Sequence, residues 1–344
     1  MSLLKTFSIG FAAMLTVVIA VALGWSVLPP GIDREAPDQG VLLLNERSSM
    51  GPVFKEAYFE YEQLRLHYVE AGTGPPVVFL HGFPSVWFSV IRQIVKLAAD
   101  HRVIAIDGLG AGKSDAPGDI AHYKLEAMSR HILALLDALH VDRAHVVGHD
   151  WGSALAIGLA QRHPDRVLSV TGISAPPLNA ILYGLEADSE AKDTASYVER
   201  FKKANPLLLV ALNTADSIFQ GAYRPLVDDA KLSKHEGELF REATSDPRRV
   251  NAHINWYRAN IPAPQDIAEV DFWPSRDARV GAPALYIWGD QDPIYNQTAI
   301  DRLLALSDGA ELLKLPGVDH WPHIREAELV NAAIRENLRR APPR

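Results

Sequence analysis

The sequence contains no cysteine. That excludes a disulfide framework, a thiolate metal site, a cysteine nucleophile and a lipoprotein anchor, and it fits an oxidising compartment as well as a reducing one. Runs of basic residues are also missing, and the net charge is −8. Nucleic acid and anionic membrane surfaces are therefore poor partners for the body of the chain. No internal repeat or low-complexity segment is present. Gly108-Leu109-Gly110-Ala111-Gly112-Lys113-Ser114 looks like a phosphate loop but lacks its first glycine, since that position is Asp107. Nor is it a dinucleotide fingerprint, because Lys113 stands where the third glycine belongs.

What remains is an ordinary globular composition, 48% hydrophobic and 22% charged, over 344 residues. That length suits one large core, or one core with an insert. At the amino terminus an apolar run, Phe7 to Leu28, is broken only by Ser8, Gly10, Thr16, Gly24 and Ser26. Its length, about 22 residues, is enough to span ~30 Å of hydrocarbon. It reads as a membrane anchor, or as a signal peptide cleaved near Ala20-Val21-Ala22, over residues 1–30. Lys5 before the run and Asp33, Glu35 and Asp38 after it place the bulk of the chain outside the cytoplasm. Residues 31–52 read as a linker.

From Phe54 to Val69 the pattern has period two, which predicts a strand pair at a sheet edge. Pro76 to Leu80 is wholly apolar, as a parallel strand covered on both faces must be. Val103 to Ile106, Ala144 to Val147, Val167 to Ile173, Ala284 to Trp288 and Glu311 to Leu315 follow as buried strands separated by helical segments. This alternation implies a mainly parallel sheet with right-handed crossovers. The rhythm breaks over residues 176–279, where amphipathic helices (Tyr197 to Lys203, Leu207 to Ala215, Leu239 to Thr244, Val250 to Ala259) occur without a convincing strand. A helical insert of that size belongs over the carboxyl ends of the strands, as a lid.

One stretch organises the rest. In Gly148-His149-Asp150-Trp151-Gly152 small residues flank a central aspartate between a predicted strand and a predicted helix. That is the spacing of a nucleophile elbow, whose glycines let backbones approach while the middle residue is held exposed in a strained turn. A carboxylate there is ionised at neutral pH and needs no base to activate it. Read by itself, the stretch has a lesser alternative, an ordinary turn followed by a capping aspartate. Its partners decide. Trp288-Gly289-Asp290-Gln291-Asp292-Pro293 ends one late strand and Gly317-Val318-Asp319-His320 follows the last. Nucleophile, acid and histidine thus appear in α/β-hydrolase order, each just past a strand end, with Asp290 and Asp292 both eligible as the acid. His81-Gly82-Phe83-Pro84 supplies the other wall, where backbone N–H groups of Phe83 and Trp151 are candidates for an oxyanion hole.

With these motifs in place, the chain resembles an α/β-hydrolase of the epoxide hydrolase group, from about Phe54 to Leu338. His-Gly-Phe-Pro at 81–84 and Gly-His-Asp-Trp-Gly at 148–152 carry the resemblance. It implies a mainly parallel sheet flanked by helices, with the core in two parts (53–175 and 280–344) and a helical lid, 176–279, after the sixth strand. It selects Asp292, three residues after Gly289, as the acid. It also implies two lid tyrosines that hold the epoxide oxygen. Asn255-Trp256-Tyr257-Arg258 resembles the segment carrying one of them. Tyr197-Val198-Glu199-Arg200-Phe201 fits the other, with Tyr223 and Tyr183 as alternatives.

The implied chemistry is ester formation on Asp150, proton supply by tyrosine, and ester hydrolysis by water that His320 activates under the orientation of Asp292. His81, Pro84, Trp87 and Trp256 are expected to line an apolar substrate pocket. No cofactor or metal is expected, and the partners are a small apolar epoxide and water. Two rivals stand beside this reading. One is a dehalogenase sharing the aspartate nucleophile: Phe83 departs from the haloalkane type, which Trp151 would suit, and Trp151 departs from the haloacetate type. The other is a non-catalytic binding protein that keeps the fold.

Overall fold

The computed structural model describes residues 33–47, 52–187, 196–211, 214–263, 266–267 and 273–341. The apolar amino-terminal run lies outside the described residues, and among those that are described no helix is long and apolar enough to cross a membrane.

Eight strands form one sheet: β1 (Lys55–Tyr61), β2 (Leu64–Ala71), β3 (Pro76–Leu80), β4 (Arg102–Ile106), β5 (Ala144–His149), β6 (Val167–Ile173), β7 (Ala284–Gly289) and β8 (Glu311–Leu315). Their spatial order is β1-β2-β4-β3-β5-β6-β7-β8. The β1–β2 hairpin joins antiparallel and β2 pairs antiparallel with β4, while every pairing from β4 to β8 is parallel. Because strand side chains alternate, each central strand feeds two apolar layers. Val78, Leu80, Ile104 and Val146 enter one layer, and Val77, Phe79, Val103 and Val147 the other.

Helices cover both layers. Against the first pack α3 (Leu125–Ala138) and α4 (Trp151–Arg162), through residues such as Leu135 and Leu155. Against the second pack α1 (Gln39–Arg47), α2 (Ile91–Leu97) and the last helix, through Leu44, Ile94 and Ile334. The stretch read as a linker therefore contains a helix. Asp38 caps α1 by accepting the N–H of Val41 at 3.1 Å, and Val41, Leu43 and Leu44 are buried. Burying each such side chain contributes about 1.5–3 kcal/mol, enough to seat a short helix with little propensity of its own.

Between β6 and β7 the described residues contain helices and no strand: α5 (Leu178–Ala187), α6 (Ser196–Lys202), α7 (Pro206–Ala211), α8 (Thr214–Ile218), α9 (Arg224–Asp228), α10 (Lys234–Ala243) and α11 (Pro247–Asn260). Two start signals are explicit. Ser233 and Glu236 form a reciprocal capping box on α10, and Asp246 caps α11 ahead of Pro247. After β7 come α12 (Gln297–Ala305), α13 (Pro322–Arg325) and α14 (Ala327–Arg339).

Helix α11 is bolted to the core. Asn260 accepts the N–H of Leu125 at 2.9 Å and donates to the Tyr123 carbonyl at 2.9 Å, while the Trp256 indole donates to the Leu109 carbonyl at 2.8 Å. Arg258 on α11 ties down α6 by donating to the Lys202 carbonyl at 3.1 Å and, just beyond the helix, to that of Ala204 at 2.6 Å. These anchors hold α11 over the carboxyl edge of the sheet.

Candidate active site

At the β5–α4 junction Asp150 adopts φ 53° and ψ −125°. Only a tight turn whose neighbours leave no alternative holds a non-glycine residue there. The flanking glycines explain how. A Cβ on Gly148 would lie 2.0 Å from the Gly152 carbonyl oxygen, and one on Gly152 would lie 2.1 Å from that of Leu80. The carboxylate is turned up at the end of the sheet and is almost completely buried.

Two backbone N–H groups favour this carboxylate. That of Phe83 donates to Oδ1 at 2.8 Å, and that of Trp151 lowers the pKa of Asp150. Glycine at 82 is what permits the approach, because a Cβ there would lie 2.2 Å from Oδ1. His81 braces the same loop. Its Nε2 accepts the Gly108 N–H at 3.0 Å, so its Nδ1–H donates to the Gly82 carbonyl at 2.9 Å. Burial pushes the pKa of this imidazole down, which keeps it in that neutral tautomer.

His320 faces Asp150 from the other side. Its Nδ1 lies 2.8 Å from Asp292 Oδ2, and its Nε2 lies 3.5 Å from Asp150 Oδ2. Asp292 is fixed in turn, since its Oδ1 accepts the Ile294 N–H at 2.8 Å. Burial disfavours charge on His320, but Asp292 and Asp150 together outweigh it and raise its pKa to about 10. Burial likewise works against the Asp150 carboxylate, and His320 more than compensates, leaving the pKa below the ordinary value. Both shifts favour an imidazolium beside the Asp150 carboxylate.

The choice between Asp290 and Asp292 has a physical basis. The Asp292 side chain is fully buried against His320, whereas Asp290 accepts the Gly317 N–H at 2.7 Å. Gly289 sets this geometry, because a Cβ there would lie 2.1 Å from the Val318 carbonyl oxygen. The strand end and the histidine loop can touch only at a glycine.

A cavity of about 400 Å³ opens beside the triad, lined by Trp151, Tyr257, Asp292 and the apolar side chains of Ile181, Leu185 and Val198. Tyr257 is buried, its ring edge-on to Trp151 at 5.0 Å and to Phe83 at 5.5 Å. Tyr197 belongs to α6, but its side chain lies outside the described residues. The alternatives are occupied elsewhere. Tyr223 sits in the core, stacked on Phe240 at 4.2 Å, with its hydroxyl donating to the Pro84 carbonyl at 3.2 Å. Tyr183 is 40% exposed, beneath the Arg302 guanidinium.

Four expected lining residues do not line this cavity. His81 and Trp256 stack on each other at 5.7 Å and border a separate, smaller recess. The Trp87 indole donates to Asp38 Oδ2 at 3.3 Å, and Pro84 borders another recess with Ser85 and Val86. These side chains shape the loop that carries Phe83, and the apolar wall comes from α5 and α6 instead. A clamp on the histidine loop was also missed. The His320 carbonyl accepts from His149 Nε2 at 2.9 Å and from the Ser174 hydroxyl at 3.0 Å. Ser174 reaches it from a backbone at φ 68°, which no sequence pattern announces.

Comparison with known proteins follows the same outline. The alpha/beta hydrolase fold family matches residues 75–327. Epoxide hydrolase 3 of Xenopus tropicalis is 30% identical over 290 residues, covering 80% of this chain and 75% of that protein. An epoxide hydrolase of Caballeronia sordidicola is 29% identical over 301 residues, covering 79% and 90%. Among solved structures, an inhibitor complex of an epoxide hydrolase from Bacillus megaterium superposes with a TM-score of 0.76, covering 83% of this chain and all of that one. At 21% identity this last likeness speaks for the fold alone.

Proposed function

The chain belongs to the α/β-hydrolase family and, within it, to the epoxide hydrolase group, and from that premise we propose that it hydrolyses an epoxide to a vicinal diol through an ester on Asp150. One observation carries the mechanism: the two oxygens of Asp150 have different surroundings. Oδ1 is held by the backbone N–H of Phe83, while Oδ2 faces His320 and remains the oxygen to attack.

Oδ2 attacks an epoxide carbon in line with the breaking C–O bond. The electron pair leaves on the ring oxygen, which takes its proton from Tyr257, with Tyr197 as second donor. A tyrosine with pKa ~10 can protonate an alkoxide readily at neutral pH. Esterification cancels the charge on Asp150, so His320 loses one of the two carboxylates that raised its pKa. The imidazolium proton then passes to the tyrosinate, leaving His320 neutral and able to act as a base.

Neutral Nε2 takes a proton from water as the water oxygen bonds to the ester carbonyl carbon. The negative charge that develops on Oδ1 meets N–H donors already in place at Phe83 and Trp151. Collapse expels the diol oxygen, which takes the remaining proton of the added water. Asp150 carboxylate and imidazolium are both restored. Asp292 keeps the imidazole oriented throughout.

The direct test is to supply an epoxide and a bromoalkane separately. Diol from the first without bromide from the second supports the reading, and bromide release without diol contradicts it. Halide departure needs no acid, so a cavity walled by Tyr257 suits the epoxide. A non-catalytic role leaves the placement of Asp150, His320 and Asp292 without a purpose. The amino-terminal run, if it inserts or is cleaved as read, puts the enzyme outside the cytoplasm, which fractionation of the full-length chain tests.

A further inference from the structure

A second polar cluster lies where the segment ahead of the sheet meets the β1–β2 hairpin. Asp38, which caps α1, Glu56 on β1 and His67 on β2 bring one donor atom each within 4.8 Å of one another. The hairpin register explains the meeting of the last two. Tyr58 pairs with His67 and Glu56 with Val69, so Glu56 and His67 are diagonal neighbours on one face.

His67 has 0% exposure. Its Nδ1 lies 2.8 Å from Asp107 Oδ2, whereas its Nε2 has no hydrogen-bond partner and points toward Glu56, with Oε2 at 3.4 Å. An unpartnered ring nitrogen aimed at carboxylates from a fully buried side chain calls for a proton or a cation between them. Three carboxylates, Asp38, Glu56 and Asp107, gather here against one ammonium, Lys113, whose Nζ is 2.8 Å from Glu56 Oε2 and which also donates to the Ala36 carbonyl.

We propose that Asp38, Glu56 and His67 form a binding site for a divalent transition cation of the zinc type, clipping the segment ahead of β1 to the hairpin. One imidazole with two carboxylates is a zinc donor set. The Asp107 hydrogen bond on the far ring nitrogen is the usual means of orienting a metal-binding histidine. The carboxylate oxygens keep lone pairs for the ion. Asp38 Oδ1 and Oδ2 accept from the Val41 N–H and the Trp87 indole, and Glu56 Oε1 and Oε2 accept from the Asp38 N–H and Lys113. A cavity of about 300 Å³ bordered by Asp38, Asp107 and Lys113 gives the ion an entry path and room for a water as fourth ligand.

The test uses the full chain, dialysed against a chelator and titrated with zinc chloride alone. The readouts are calorimetry, bound zinc per chain by mass spectrometry, and the melting temperature. One zinc per chain and a rise in melting temperature are expected. Asp107→Asn should weaken binding about 10–100-fold by releasing the His67 ring, and His67→Gln should weaken it further. Glu56→Gln and Asp38→Asn alter half-buried positions and should also abolish stoichiometric binding, with the metal-free melting temperature of each variant reading its folding. Cobalt in place of zinc should give visible absorption bands that the same variants lose. Zinc binding that is absent, or unchanged in Glu56→Gln and Asp38→Asn, overturns the proposal. So does tighter binding of magnesium or calcium than of zinc.

Discussion

Asp150 and His320 face each other at 3.5 Å, Oδ2 to Nε2, and each holds the other in its charged form. Chemistry at one therefore resets the protonation of the other. In the proposed mechanism, removing the charge from Asp150 by esterification frees His320 to act as a base, so the two halves of that cycle share a single electrostatic contact.

Replacing His320 separates the halves. In His320→Gln the attacking carboxylate, the tyrosine and the backbone donors remain, so ring opening should proceed once and stop. The expected result is a mass increase on the protein equal to the epoxide, located on the peptide containing Asp150. Steady diol production from this variant would contradict the role of His320.

The phenols should behave differently from one another. Tyr257→Phe removes a proton donor at the cavity wall and should slow the alkylation step about 10²-fold or more in pre-steady-state measurements. Tyr223→Phe removes a hydroxyl bonded to the Pro84 carbonyl behind the loop. It should cost about 0.5–1.5 kcal/mol of stability, read by denaturant unfolding, and leave turnover nearly intact.

Gly82→Ala tests the backbone donors. The added methyl would have to occupy space 2.2 Å from Asp150 Oδ1, so the Phe83 N–H must withdraw. Losing one such donor costs about 10²–10³-fold in turnover, and single-turnover traces should place the loss mainly in ester hydrolysis. Unchanged hydrolysis would remove Phe83 from that step.

Stability should depend on pH through His320. Its folded pKa of about 10 lies above the ~6.5 of an unfolded histidine, so the folded state binds the proton more tightly. The stabilisation is complete below pH ~6.5, declines as pH rises, and is gone above about 10. Melting curves of the wild type and His320→Gln should differ most near pH 6 and converge in this pH dependence above 10. A gap that widens with rising pH would reverse the sign.

The positions of Asp150, Asp292 and His320 were legible because each follows a strand end, and strand ends are the best-defined points in an alternating α/β sequence. Phe83 and Trp151 were legible because their neighbours are glycines with no room for a side chain. The pocket was not. Trp256 stacks on His81 and hydrogen-bonds to Leu109, while Ile181, Leu185 and Val198 wall the cavity, and nothing in residue type tells a core aromatic from a pocket aromatic. Helix α1 was missed because its stability comes from the Asp38 cap and from burial of Val41 and Leu44, both tertiary facts. The Ser174 clamp depends on a left-handed backbone and on a partner 146 residues away in sequence.

The central claim is that the new diol oxygen comes from Asp150, since water attacks the carboxyl carbon and not the epoxide. A single turnover with enzyme in excess, run in ¹⁸O-labelled water, tests it most directly. The account requires an unlabelled first-turnover diol and one ¹⁸O in the peptide carrying Asp150. Label in the diol with none in Asp150 would show direct attack by water and contradict it.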